Sequence, residues 1–418
     1  MISLRPAPPV ADAVHAAFRP VSAMAPDVIA RVRRRAIFDC CKWDPQVEDV
    51  CTIADVPLVL SIAAWRTIVG QAESLAREVH AAEEELRGRP ELHDRLGLPR
   101  AIVRALRRGS APDHVRTVRF IRFDFHLTEN GWRISEANTD VPGGLNEASG
   151  LPAIVGPLYP GTRPVGDVAD AYARAVVDTG MPGALVALVH ATAYCDDRQV
   201  MAYLARRLEL GGARALLASP AHLRWSDGRA TLDTPQAAGP VDAVVRFFPA
   251  EWLPNLPWRA GWRSYFERAT TPVSNPGSAI LTQTKRFPLV WDRLWTPLPT
   301  WKALLPETHD ARDVRWQGSD EWVLKPALGR VGEDIGIAGV TAPREWEKIA
   351  RAVRRHPAYW VVQRRFAATA VRLGEHHRYP SVGVYTVNGR VAGAYGRIAE
   401  RPLIDARARD AAVLVAES

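Results

Sequence analysis

Arg122, Asp124, Glu136 and Asn138 stand two residues apart within each of two neighbouring stretches, "RFDFHLTEN" and "GWRISEAN". An exposed hairpin would carry Thr, Ser or Lys at such positions, without gathering oxygen donors on one face. Carboxylate and amide oxygens are hard ligands, suited to a divalent ion such as Mg²⁺. An arginine beside them can meet an anion with its planar fork. The pattern alone leaves two readings open: a cation held by Asp124, Glu136 and Asn138, or a solvated face on which arginines neutralise the carboxylates.

The chemistry depends on how the chain brings these residues together. Ile121, Phe123, Phe125 and Leu127 alternate with Arg122, Asp124 and His126, the period-two signature of a half-buried strand. His126 therefore shares the polar face and could assist there. Asn130-Gly131 marks a turn, and "WRISEAN" is the returning strand. A two-residue loop would set Asp124 opposite Ala137 and split the polar groups between faces. A three-residue loop, residues 129 to 131 with Gly131 left-handed, sets Asp124 opposite Glu136 and Arg122 opposite Asn138, and is the register expected. Facing carboxylates repel by about 1 kcal/mol in water and about 4 kcal/mol at an effective dielectric of 20, so such a pair calls for a cation.

The 418-residue chain carries a net charge of +8, almost all of it arginine. Its only lysines are Lys42, Lys285, Lys302, Lys325 and Lys348. A sequence biased so strongly toward arginine should keep lysine mainly where a compact point charge is needed and a fork does not fit. The charge reflects composition more than a basic, aromatic-interleaved patch, so no nucleic acid partner is expected. Four cysteines without a CxxC pair suggest buried free thiols rather than disulfides or a zinc site. No run approaches the ~18 apolar residues of a membrane span, and the start is broken by prolines without a signal-type apolar core. A cytoplasmic protein without membrane attachment is the expectation.

A second group lies downstream. "EWVLKPALGRVGEDIGIAGV" reads as strand, glycine loop, strand, with Lys325 before the loop Gly329-Arg330-Val331-Gly332. Glycines let backbone N–H groups approach phosphate closely. The loop lacks the GxxxxGK[ST] pattern of a Walker site, and kinase motifs are missing. Taken alone, it fits a plain hairpin turn equally well. "YWVVQRRF" is an apolar strand ending near Gln363, Lys285 is expected on a helix after the 275–277 turn, and "SVGVYTVNGRVAGAYGRI" is a hairpin turning at Asn388-Gly389, with Arg397 beyond.

In this order, Arg122-Phe-Asp124, Glu136-Ala-Asn138-Thr-Asp140-Val-Pro142, Lys285, Lys325-Pro-x-x-Gly329-Arg330-x-Gly332, Gln363 and Arg397 resemble the synthetase half of glutathionylspermidine synthase and its relatives in the ATP-grasp superfamily. The resemblance runs from "CKWDPQVEDV" nearly to the C-terminus. It implies an α/β chain with α+β elements: an ATP-grasp fold with a small pre-ATP-grasp α/β domain. It further implies ATP and Mg²⁺, the metal held by Asp124, Glu136 and Asn138. Arg122 and Arg397 would face the transferring phosphoryl group. Lys285, Lys325, Gly329, Arg330, Gly332 and Gln363 would bind the nucleotide. The implied reaction joins a small-molecule or peptide carboxylate to an amine acceptor through an acyl phosphate. Alternatives are a kinase of the same fold acting on a carboxylate or other small molecule, and a nucleotide-binding partner without turnover.

The resemblance has gaps. The family's NADTP becomes Asn138-Thr139-Asp140-Val141-Pro142, and Val141-Pro142-Gly143-Gly144 lacks the hydroxyls that help receive glutathione. No counterpart of the amidase half of bifunctional members is read in the sequence. Neither glutathione nor spermidine is therefore carried over, and the oligomeric state is not legible.

The remaining elements are scaffold. Residues 27–40 read as a helix, and 61–87 carry an apolar stripe through Trp65, Ile68, Ala72, Leu75, Val79, Ala82 and Leu86. Pro90 ends that helix and Pro99 opens another. Strands and helices alternate from 165 to 275, as in a parallel α/β layer. The expected division is 1–160, a helical segment and metal-binding hairpin within the ATP-grasp body; 161–275, the small α/β unit; and 276–418, the nucleotide-binding region with its glycine flap.

Overall fold

The computed structural model describes residues 17–47, 49–109, 117–235, 237–329 and 334–417. Ser61 caps the long helix Ile62–Arg87, its side chain accepting from the Ala64 N–H, and every residue of the predicted apolar stripe is buried. Helices Pro26–Asp39 and Arg100–Arg108 lie where proline and periodicity put them.

Strands Phe120–Thr128 and Gly131–Asn138 form one edge of a larger antiparallel sheet. Phe120–Thr128 pairs on its other side with His376–Val387, which continues to Arg390–Ala399 and Arg409–Ala411. The 388–389 turn is of type I′, with φ of 49° at Asn388 and 80° at Gly389, matching the twist of the strands it joins. Alternation therefore puts Phe123 and Phe125 into the core, while Arg122 and Asp124 share the opposite face with Ser381, Gly383 and Arg397.

Leu185–His190 pairs in parallel with Arg214–Ala218 and Ala243–Phe247, and the latter with Val273–Ser274, as expected for the middle of the chain. The helix Cys195–Leu210 packs against this layer. "GRATLD" is a strand too, but in a separate antiparallel sheet between Leu223–Ser226 and Ala238–Pro240. A third layer orders Thr308–Asp310, Trp360–Arg364, Trp322–Pro326 and Gly336–Ile337, antiparallel throughout.

Two expectations are corrected. Lys285 lies beyond its short helix, Ile280–Gln283, where the extended backbone at Thr284 breaks the turn and the Lys285 N–H bonds to the Ala327 carbonyl at 2.8 Å. Of the four thiols, all free, Cys40 and Cys41 are buried but Cys195 is exposed at a helix start. No helix among the described residues is long and apolar enough to cross a membrane.

Candidate active site

Asp124 stands opposite Glu136 and Arg122 opposite Asn138. The expected pairing is reached by a different route. Thr128 already pairs with Gly131, so the loop is Glu129-Asn130, and the extra residue sits in a bulge at Ser135 beside the Asp124–Phe125 step. Gly131 takes the left-handed conformation, φ 87°. A bulge re-aims the backbone. Here the Ser135 carbonyl accepts from Lys325 Nζ at 2.9 Å, and its hydroxyl lies 3.1 Å from His126 Nε2.

The cations and carboxylates interlock. Arg122 donates from Nε and Nη2 to the two Asp124 oxygens at 2.6 and 2.9 Å, and from Nη1 to the Gly143 carbonyl at 2.8 Å. Tyr385 and Tyr395 present ring faces to its guanidinium at 6.0 and 5.6 Å. Lys285 Nζ reaches Glu136 at 3.2 Å. Burial raises the Asp124 pKa, Arg122 only partly offsets this, and Glu136 adds to the rise. Burial opposes charge at Glu136 too, but Lys285, then Lys325 and Arg122, outweigh it and hold that carboxyl at about 2. Gly383 provides the room: a Cβ there would stand 2.8 Å from Arg122 Cδ and 3.0 Å from Asp124 Oδ1.

Lys325 and Gln363 meet on adjacent strands, Nζ donating to Oε1 at 2.7 Å, and Gln363 Nε2 donates onward to Thr308 at 3.0 Å. Burial lowers the Lys325 pKa to about 8, with Glu136 opposing and Lys285 reinforcing the shift. His126, buried beside Lys325, is pushed down to about 4 and stays neutral near pH 7.

Arg122, Asp124, Glu136, Asn138, Lys325, Gly329, Gln363 and Arg397 all line one cavity of about 1040 Å³. Lys285 reaches that wall through Glu136. Arg330 and Gly332 lie outside the described residues, and so does Glu333; Asp334 pairs with Lys348. Arg397 donates to the Asp405 and Ala408 carbonyls at 2.7 and 3.0 Å, and its Nε lies 3.9 Å from Asp410. His376 and His377 begin a strand and are exposed, away from the cavity lining.

The residue that sequence reasoning left unassigned is Lys42. Its Nζ bridges Glu147 Oε1 at 2.5 Å and Asp410 Oδ2 at 2.9 Å, and Tyr395 donates to the other Asp410 oxygen at 2.6 Å. Burial opposes its charge, but Asp410 and Glu147 hold its pKa well above the ordinary value. The scarcity of lysine was the signal: of five, Lys42, Lys285 and Lys325 converge on this region.

The donor set suits a hard cation: two facing carboxylates, one kept from ionising easily by burial and by its neighbour, and an adjacent amide. As placed, Asn138 turns Nδ2 toward Asp124 at 3.2 Å, so a cation requires the amide to rotate and present oxygen. Among the described residues no group of three or more His, Cys, Asp or Glu side chains could hold a metal ion. Asp124 and Glu136 supply two carboxylates, and Asn138 would have to complete the set.

The family profile described as glutathionylspermidine synthase pre-ATP-grasp matches residues 54–415. No curated protein matches significantly in sequence. Among solved structures, a glutathione synthetase-like effector from Globodera pallida superposes with a TM-score of 0.58 at 11% identity, over 93% of this chain and 99% of that one. A candidate gamma-glutamylcysteine synthetase from Methylobacillus flagellatus gives 0.42 at 13% identity, over 79% and 86%. The fold is that of the ATP-grasp type with a pre-ATP-grasp α/β portion.

Proposed function

The chain belongs to the glutathionylspermidine synthase pre-ATP-grasp family, an ATP-grasp-type ligase in kind, and from that premise we propose that it joins a carboxylate to an amine through an acyl phosphate at the expense of ATP. The observation that carries this reading is the convergence of Arg122, two facing carboxylates and Lys325, from two different sheets, on one large cavity.

In this reading Lys285 and Lys325 bind the phosphates and the edge of the adenine pocket, and Gln363 receives the base. Gly329, Arg330 and Gly332 would bind the phosphates of the nucleotide. The substrate carboxylate attacks the γ-phosphorus and ADP leaves as the bond to the β–γ bridging oxygen breaks, giving the acyl phosphate, while Arg122 and Arg397 neutralise the charge that spreads over the transferring group. Asp124, Glu136 and Asn138 would hold Mg²⁺, which supplies further neutralisation of phosphate oxygens. The amine then takes the acyl carbon and inorganic phosphate leaves. No side-chain nucleophile is needed. The division into 1–160, 161–275 and 276–418 is proposed along with it, as is a cytoplasmic setting, where free thiols are the norm.

The test is ADP release from ATP with pools of peptide and small-molecule carboxylates, with and without primary amines, products being identified by mass spectrometry. ADP formation that needs both substrates, with an amide as product, is the expected result. ADP without amide under every pairing would replace the ligase with a carboxylate kinase, and no turnover at all would leave only nucleotide binding.

A further inference from the structure

The Gly143 carbonyl accepts from Arg122 Nη1 at 2.8 Å and, at the same time, from the hydroxyl of Tyr385. A carbonyl oxygen has two lone pairs and can take both donors. Tyr385 is wholly buried and is not among the residues that line the cavity, so it does not reach a substrate there itself. Its ring stacks on Phe120 with centroids 5.2 Å apart, and Phe120 stacks on Tyr172 at 4.3 Å. The Tyr172 hydroxyl meets Ser274 Oγ at 2.6 Å, on a strand of the parallel layer. Three nearly parallel rings, tied to that layer, thus hold one phenol oxygen in place.

The segment that carries the carbonyl is shaped to this seat. Gly144 is left-handed, φ 83°, and a Cβ there would stand 2.9 Å from the Tyr395 ring and 3.0 Å from the Tyr385 hydroxyl oxygen. Burial pushes the Tyr385 pKa up, and the charge of Arg122 and a hydrogen bond with it offset this only in part, so the phenol keeps its proton to donate. The other anchors of Arg122 are the two Asp124 oxygens, at 2.6 and 2.9 Å. In the ligase reading that carboxylate also holds the cation. The Gly143 carbonyl has no such second duty.

From this we infer that Tyr385 is a positioning residue: through the Gly143 carbonyl it fixes the Arg122 guanidinium where the γ-phosphoryl group of ATP is received. A phenol and a peptide carbonyl carry no net charge, so they aim the planar fork without neutralising it. The inference rests on the reading that Arg122 faces the transferring phosphate, and on the geometry for how Arg122 is held. ADP lacks the γ-phosphate, so a misplaced Arg122 should cost affinity for the triphosphate and spare the diphosphate.

The test is titration calorimetry of the full chain with ATPγS and with ADP, each with magnesium chloride. Arg122→Lys should weaken ATPγS relative to ADP about tenfold, the scale for a hydrogen bond to a charged group. Tyr385→Phe keeps the ring stack and should weaken ATPγS relative to ADP by about fivefold. Gly144→Ala, which sets a Cβ against the Tyr385 hydroxyl, should show the same selective loss. In the Arg122→Lys background Tyr385→Phe should add nothing, because the two act as one unit. A role in stability alone would weaken both nucleotides alike. That result, wild-type discrimination in Tyr385→Phe, or a full further loss in the double variant would overturn the inference. Its failure is separable from that of the reading beneath it. Wild-type discrimination in Arg122→Lys removes Arg122 from the γ-phosphate and the inference with it, whereas the same result in Tyr385→Phe alone removes only the positioning role. The expected ratios without ADP release from any substrate pair remove the ligase and leave the positioning role standing.

Discussion

Asp124 and Glu136 face each other across neighbouring strands, yet their surroundings drive the two carboxyls in opposite directions. Burial and the charge of Glu136 push Asp124 up, while Lys285 and Lys325 overcome burial and hold Glu136 at about 2. One carboxyl of the pair is thus always charged at neutral pH, and the other is poised to gain most from a further cation.

Replacement of that poised group gives the first prediction. Asp124→Asn keeps an oxygen for Arg122 and should leave the far-UV circular dichroism unchanged. Turnover should drop about 10² to 10³-fold, the scale for removing one electrostatic stabiliser of a transition state. Rates near wild type would remove Asp124 from the metal set.

Gly383 tests the spacing rather than the charge. A Cβ there would press on Arg122 Cδ at 2.8 Å and Asp124 Oδ1 at 3.0 Å. Gly383→Ala should cost about 10²-fold in kcat, as expected when catalytic groups move by about an ångström. The thermal midpoint should move little, since the conflict lies on the cavity face and not in the core. A variant with full activity would show that the Arg122–Asp124 pair tolerates displacement.

Lys325 sets a pH dependence. Its pKa falls to about 8 in the folded chain from an ordinary value of 10.5, first through burial. Between about pH 8 and 10.5 the unfolded chain binds the proton and the folded one does not, so this group makes stability rise with pH across that window. Nucleotide affinity should move the other way, because a neutral amine no longer attracts phosphate. KM for ATP is therefore expected to climb above pH 8 in wild type, and Lys325→Arg should abolish that inflection. A flat KM profile from pH 7 to 9 would take Lys325 out of nucleotide binding.

Lys42 carries a structural prediction. Lys42→Met leaves Glu147 and Asp410 buried together without their cation, a change of the kind that costs about 3 to 5 kcal/mol. The denaturant midpoint should fall accordingly. Lys42→Arg should recover part of the loss, because a wide planar fork replaces a point charge between two close carboxylates. An unchanged midpoint in Lys42→Met would mean that the bridge contributes nothing net.

What could be read from the sequence was local. Alternation from Ile121 to Leu127 and again through "WRISEAN" fixes two strands, and the wish to keep Arg122, Asp124, Glu136 and Asn138 on one face selects their pairing. The stripe from Trp65 to Leu86, with Ser61 ahead of it, likewise encodes a helix within a single segment. Because such signals depend only on neighbours, the route could be misread while the pairing was right: the bulge at Ser135 has no mark of its own, since its purpose, a carbonyl turned to Lys325, involves a residue 190 positions away.

Only the tertiary structure decided what surrounds those strands. That His376–Val387 lies beside Phe120–Thr128, that Gly383 makes way for Arg122, and that Lys42 bridges Glu147 and Asp410 are pairings across more than a hundred residues. No periodicity records them. They arise where separately encoded faces bury against one another and buried charges must find partners, and a chain read one segment at a time does not show which faces will meet.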